Sequence, residues 1–119
     1  MEALLQKLSH LAPRVVLTGV SFDDDHLGAM SYDRTTGRYF AYYNEKVHAG
    51  FHGTGDIFTA TVLGAMMQGR TLEQAVTLAV DFTLECIRCT CADPAASWYG
   101  VEFEKALPWL ARQNNAGAE

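Results

Sequence analysis

The 119-residue sequence predicts an α/β unit, on three observations. A short β-branched run, "RVVLTG", stands after the first helical segment, as a strand does. Two aromatic-rich runs flank the turn-forming cluster "DRTTGR", the pattern of a β-hairpin. Two long apolar segments then follow between residues 54 and 92, with helix-start and helix-stop residues at their ends. The length fits one domain around one core, spanning residues 1–119.

In chain order, residues 2–11 place Ala3, Leu4, Leu8 and Leu11 at helical spacing, and Pro13 closes the segment by disfavouring helical geometry before it. Val15, Val16 and Leu17 form a continuous apolar run, read as a central strand covered on both faces. "SFDDDHLG" reads as a polar link, with Asp23, Asp24 and Asp25 as a solvated face rather than a metal site. "GAMSYD" and "RYFAYYNEKV" make the hairpin, whose tyrosines read as cross-strand contacts. From Thr54, "GDIFTATVLGAMMQG" is apolar on most sides and reads as a buried helix with Thr54 or Gly55 near its N-cap and Gly69 at its stop. Thr71 and Gln74 form a capping-box pair at the head of a second long helix that runs to the Asp93-Pro94 break. A short C-terminal helix turns Val101, Phe103, Leu107 and Leu110 inward, Trp98 and Tyr99 anchor the loop before it, and "NNAGAE" reads as a loose tail.

Apolar residues at 49% against 19% charged provide enough surface to offset chain entropy, which excludes a disordered chain. A net charge of −5 without a Lys/Arg cluster excludes a nucleic-acid surface. No stretch reaches the ~20 apolar residues of a membrane span, and the N-terminus lacks the pattern of a signal peptide. The expectation is a cytoplasmic protein. Cys86, Cys89 and Cys91 lie in one helix, are no disulfide framework, and read as buried, inert thiols.

The stretch that carries chemistry is "HGTGD". A helix start offers backbone N–H groups without intrahelical partners and the positive end of the macrodipole, so an anion is favoured there. Gly53 and Gly55 allow close backbone approach, and Thr54 adds a hydroxyl or a cap. Asp56 stands where it can take a proton from a substrate hydroxyl beside amides that hold a transferring phosphoryl group. Spacing alone leaves a second reading open: an ordinary helix N-terminus with a favourable acid, stabilising by ~0.3–1 kcal/mol. His48 and His52 nearby read as loop histidines.

"GTGD" ahead of an apolar helix resembles the anion-hole and catalytic-base signature of the ribokinase-like (PfkB) superfamily of small-molecule kinases. "HGTGD" sides with its pyridoxal/pyridoxamine kinase branch, and "RVVLTG", "HLGAMSYDRTTGRYFAYYNEKV", "AVDFTLECI" and "WYGVEFEKALPWL" resemble that branch as well, over residues 10–112. The resemblance implies the C-terminal, ATP-side part of a three-layer ribokinase-like fold. It implies Asp56 as the base acting on the 5′-hydroxymethyl of pyridoxal, pyridoxine or pyridoxamine, and Gly53, Thr54 and Gly55 as the anion hole for the γ-phosphate of MgATP. Thr18 and Gly19 match a position that touches the nucleotide phosphates at the end of a parallel strand. Tyr42 to Val47, with Asn44 and Val47, matches the adenine side.

Members of that superfamily are much longer, and the part that supplies most of the sheet, the substrate wall and the acidic motif for Mg²⁺ has no counterpart in this sequence. By itself the chain is therefore expected to be inactive or nearly so, and its open sheet edge to favour a homo-oligomer. Two rivals remain: a hydroxymethylpyrimidine or sugar kinase of the same superfamily, and a non-catalytic nucleotide-binding or interaction module.

Overall fold

The computed structural model describes residues 2–45, 53–92 and 103–117. The chain begins with helix α1 (Glu2–Leu8) and continues through strands β1 (Arg14–Asp23), β2 (His26–Asp33) and β3 (Arg38–Glu45). Helices α2 (Thr54–Met67) and α3 (Leu72–Ala92) follow, and a 3₁₀ turn (Glu104–Ala106) leads into α4 (Leu107–Gly117). The α/β class and the expected sequence of elements are borne out, with differences that have physical causes.

The three strands form one antiparallel sheet in the order β1-β2-β3. Among the described residues β1 pairs on one side only, with antiparallel β2, so the central and parallel pairing read into "RVVLTG" is not found there. It is also longer than expected: Ser21–Asp23 continue the ladder, and the polar link contracts to a tight turn at Asp24-Asp25. Asp23 makes this turn by accepting the Asp25 N–H (2.8 Å) and facing the His26 ring at Nδ1 (2.9 Å). The register shifts between Thr18 and Val20, and the residue left over is Gly19 at φ +68°, a left-handed backbone that glycine adopts without a Cβ penalty.

Alternation along the strands divides the sheet into two faces. Ala29 lies on one with its cross-strand neighbours Thr18 and Tyr42 and packs into a cluster with Phe58, Leu72, Val76, Ala79 and Val80, so α2 and α3 cover that face. Tyr32 and Tyr39 lie on the other, with ring centres 4.5 Å apart, as expected of cross-strand tyrosines. Burial, then Tyr32 and Glu2, push the Tyr39 hydroxyl pKa up. The residue of α1 that reaches the interior is Leu5, fully buried, whereas Leu4 and Leu11 are exposed; the helix ends at Leu8, too early to carry the longer stripe.

The two long helices are joined by ordered caps. Arg70 N–H bonds to the Ala65 carbonyl (3.1 Å) and Gly69 N–H to that of Met66 (3.0 Å), a Schellman closure with Gly69 at φ +91°. Thr71 N–H then donates to Gln74 Oε1 (3.0 Å) and Gln74 N–H to Thr71 Oγ1 (3.2 Å), so the expected capping box is formed. α3 is deeply buried, but α2 is not. Only Phe58 and Ala65 of α2 are buried, with Leu63 60% and Met67 79% exposed, because β1–β3 and α3 cover just one side of it. Similarly, the 3₁₀ turn and α4 turn Ala106, Trp109 and Leu110 toward α2 and α3, while Phe103 and Leu107 stay partly exposed. Trp109 stacks on Phe82 at 6.2 Å, and α4 runs through to Gly117, so Asn114 to Gly117 are helical rather than loose. Val101, Trp98 and Tyr99 lie outside the described residues.

Candidate functional site

Gly53 is the N-cap of α2, one residue earlier than expected, with φ 95° and no side-chain cap bond. A left-handed cap turns the preceding chain away from the helix axis, and only glycine takes it without strain. The Ile57 N–H bonds back to the Gly53 carbonyl at 3.0 Å, so the helix is regular from its first residue. Gly55 follows in the first turn, and a Cβ there would meet nothing within 4 Å. The described fold thus does not require glycine at position 55, although glycine in a helix costs roughly 0.8–1 kcal/mol against alanine. A ligand drawn against the backbone would require it.

Asp56 is exposed at the first turn. It stands on the rim of a groove of about 410 Å³ between α2, α3 and α4 whose walls are apolar, including Phe82, Phe103 and Leu107. The carboxylate is neither turned into the interior nor salt-linked among the described residues, so it is open to solvent and to a ligand at the helix mouth. Thr59 and Thr61 donate to carbonyls one turn back, Gly55 O (2.8 Å) and Ile57 O (2.7 Å), and play no part in this mouth.

The other expected site residues divide. Thr18 and Gly19 are exposed on β1, and Ala29, the cross-strand partner of Thr18, packs with Phe58, one turn into α2. Asn44 has a different employment: its Nδ2 donates to Asp81 Oδ1 at 2.9 Å. Val47, His48 and His52 lie outside the described residues.

Asp81 is the residue that sequence reasoning missed. It sits in α3 between Val80 and Phe82, both buried, and its Oδ1 accepts from both Asn44 and the Tyr42 hydroxyl (2.8 Å). Burial first, then the hydrogen bond and charge of Asp81, push the Tyr42 hydroxyl pKa up to about 12. Arg88 pairs with Glu45 and Glu85, a second link between the end of β3 and α3. A lone acid within the apolar run "AVDFTL" was the available signal. The cysteines also divide: Cys86 is fully buried, its thiol pushed up to about 12 chiefly by burial, Cys89 is half-buried, and Cys91 is exposed, which corrects the reading of all three as buried. Among the described residues no helix is long and apolar enough to cross a membrane.

A family model for phosphomethylpyrimidine kinase matches residues 1–97. The chain belongs to the phosphomethylpyrimidine kinase family. Among solved structures, this family member is similar to a provisionally assigned phosphomethylpyrimidine kinase from Bacteroides thetaiotaomicron, at 31% identity and a TM-score of 0.81 over 92% of this chain and 39% of that one. It shares the fold of the pyridoxal kinase from Lactobacillus plantarum (21% identity, TM-score 0.82, 97% of this chain and 42% of that one). The same holds for the Leishmania donovani pyridoxal kinase solved with ADP and pyridoxamine (22% identity, TM-score 0.71, 83% and 36%). No curated protein matches the chain. The ribokinase-like, pyridoxal-kinase-type resemblance is thereby borne out, and the chain spans about two-fifths of the length of the structures it matches.

Proposed function

We propose that this chain is the ATP-side part of a vitamin B6 kinase, which moves the γ-phosphate of MgATP onto the 5′-hydroxymethyl of pyridoxal, pyridoxine or pyridoxamine. The observation that carries the reading is the mouth of α2: a left-handed Gly53, an unobstructed Gly55 and an exposed Asp56 within one turn of backbone. The first-turn amides of Thr54 and Gly55, with the helix dipole behind them, suit the charge on a γ-phosphoryl group. Asp56 is then the base that takes the proton from the acceptor hydroxyl as it attacks. Thr18 and Gly19, exposed on β1, would lie along the other phosphates.

Mg²⁺ normally carries one or two carboxylates together with substrate phosphates, and its chemistry here is to neutralise phosphate charge. Among the described residues no three His, Cys, Asp or Glu groups gather, so those residues supply no complete cage for the ion. The residues argued above bind, orient and take a proton without it.

A second reading, a hydroxymethylpyrimidine kinase, is favoured by the family model's own description. Against it stands the Bacteroides thetaiotaomicron relative, whose orthorhombic form was solved with pyridoxal. The test is an acceptor panel with Asp56→Asn in a polypeptide of the relatives' length. Pyridoxal turnover should fall about 10²–10⁴-fold while the MgATP dissociation constant stays within twofold. Equal loss of ATP binding removes the base assignment, and turnover of hydroxymethylpyrimidine in preference to pyridoxal selects the second reading.

A further inference from the structure

At the far end of α2 from Asp56, the turn into α3 meets the sheet over a cleft of about 290 Å³. We propose that this cleft binds a small organic anion with a flat apolar body, of the size and charge of an aryl phosphate. The site is independent of the phosphoryl-transfer reading, since Met66 on its wall lies ten residues beyond Asp56, about 15 Å along the helix at 1.5 Å per residue.

Three guanidinium groups reach the cleft from separate elements. Arg14 and Arg38 flank Asp33 across the ladder, one on β1 and one on β3, and paired residues share a face. Arg70 comes from the turn that follows the Gly69 stop. Their engagement differs. Arg14 Nε touches Asp33 Oδ2 at 3.4 Å, and Arg70 Nη2 donates to the Gln113 carbonyl at 2.9 Å, which leaves the rest of each fork to other acceptors. Arg38 makes no hydrogen bond or ion pair among the described residues, although a guanidinium carries five donors.

The opposing charge is smaller. Asp33 and Glu73 are the two carboxylates in the lining, so three cations against two anions leave a positive excess in a chain whose net charge is −5. Burial works to raise the Asp33 pKa, but Thr35 and Arg14 outweigh it and hold the carboxyl below its usual range; it is already engaged. The adjoining hollow past Phe40 and Arg70 contains Asp81, a further carboxylate, which repels an anion from that side and places it toward Arg14 and Arg38. Thr71 at the head of α3 adds a hydroxyl and the positive end of a 21-residue helix. Beside the hydroxyls of Ser31 and Thr36, the rest of the wall is apolar: Phe40, Met66 and Leu72 suit a ring rather than a bare oxyanion.

Calorimetric titration of the chain at low salt tests the site, with phenyl phosphate as probe and inorganic phosphate and benzyl alcohol as controls. Phenyl phosphate should bind with a dissociation constant below about 1 mM, inorganic phosphate at least about fivefold more weakly, and benzyl alcohol without measurable heat. Arg38→Glu should weaken phenyl phosphate more than about tenfold without lowering the melting temperature, since Arg38 is exposed and holds nothing in place. Gly55→Glu, which sets a carboxylate in the α2 mouth where a Cβ meets nothing, should leave phenyl phosphate binding unchanged. Wild-type affinity in Arg38→Glu, loss of binding in Gly55→Glu, equal binding of either control, or no binding of phenyl phosphate up to about 10 mM each overturns the proposal.

Discussion

Replacing Asp81 with alanine removes the acceptor shared by Tyr42 and Asn44, and the cost follows from the geometry. Two hydrogen bonds of 2.8 and 2.9 Å converge on one carboxylate oxygen in a half-buried position between β3 and α3. A hydrogen bond to a charged group contributes about 1.5–3 kcal/mol, and partial access of water lowers this to about 1–2 kcal/mol at this site. The two together therefore hold β3 to α3 by about 2–4 kcal/mol, less whatever water restores to the orphaned donors. Urea unfolding followed by far-UV circular dichroism reads this directly. With a slope of about 1.5 kcal/mol/M for a domain of this size, the midpoint should fall by about 1.5–2.5 M. Tyr42→Phe removes one of the two bonds and should cost about 1–2 kcal/mol, and the double variant should cost measurably less than the sum of the singles, because both changes delete the same contact. A midpoint shift in Asp81→Ala below about 0.3 M, or strict additivity with Tyr42→Phe, would refute the clamp.

The same tyrosine sets an alkaline limit. Its folded pKa, about 12, lies above the ordinary 10.0, so the stability it contributes is complete below about pH 10 and is lost as pH rises toward 12; Tyr42→Phe should flatten that part of the stability profile. Gly28→Ala should lower the melting temperature sharply, because a Cβ at Gly28 would run into the Tyr42 carbonyl and come within 2.8 Å of the Tyr43 Cα, forcing β2 and β3 apart; a loss below about 1 kcal/mol in urea would count against that packing. Iodoacetamide under native conditions should label Cys91 within minutes and Cys86 only on unfolding, as peptide mass mapping would show, since the one is exposed and the other buried with a thiol pushed up to about 12.

What could be read from the chain beforehand was local chemistry. Gly69 closed α2 and Thr71 with Gln74 opened α3 because caps are satisfied within a few residues of themselves. The hairpin followed from the turn residues between Asp33 and Arg38. The candidate base was visible for the same reason, since Gly53 to Asp56 are contiguous and a helix mouth needs no distant partner to present amides. Relations across the sheet were harder. Val15 to Leu17 have the run of a central strand, yet pairing is decided by neighbours, and among the described residues β1 has one. Asp81 draws its meaning from Tyr42 and Asn44, more than thirty-five residues earlier in the chain, and no spacing rule connects them.

α2 shows where composition and environment part. An apolar helix with residues of that kind on every side reads as buried, and the inward side is: Phe58 closes on Ala29 and Val76, while Ala65 packs with Ala75 and Leu78. Its outer side exposes Leu63 and Met67, and a wall of the groove beside Asp56 is made from the same helix. All-round apolarity states how much cover a helix is suited to, and the described residues supply cover on one side. The relatives of this fold are more than twice as long, and the described residues leave the outer side of α2 uncovered. Asp56, the candidate base, stands beside an open groove rather than in a walled site. Phosphoryl transfer depends on positioning, and a base and an anion cradle without an acceptor wall fix only one of the two reactants.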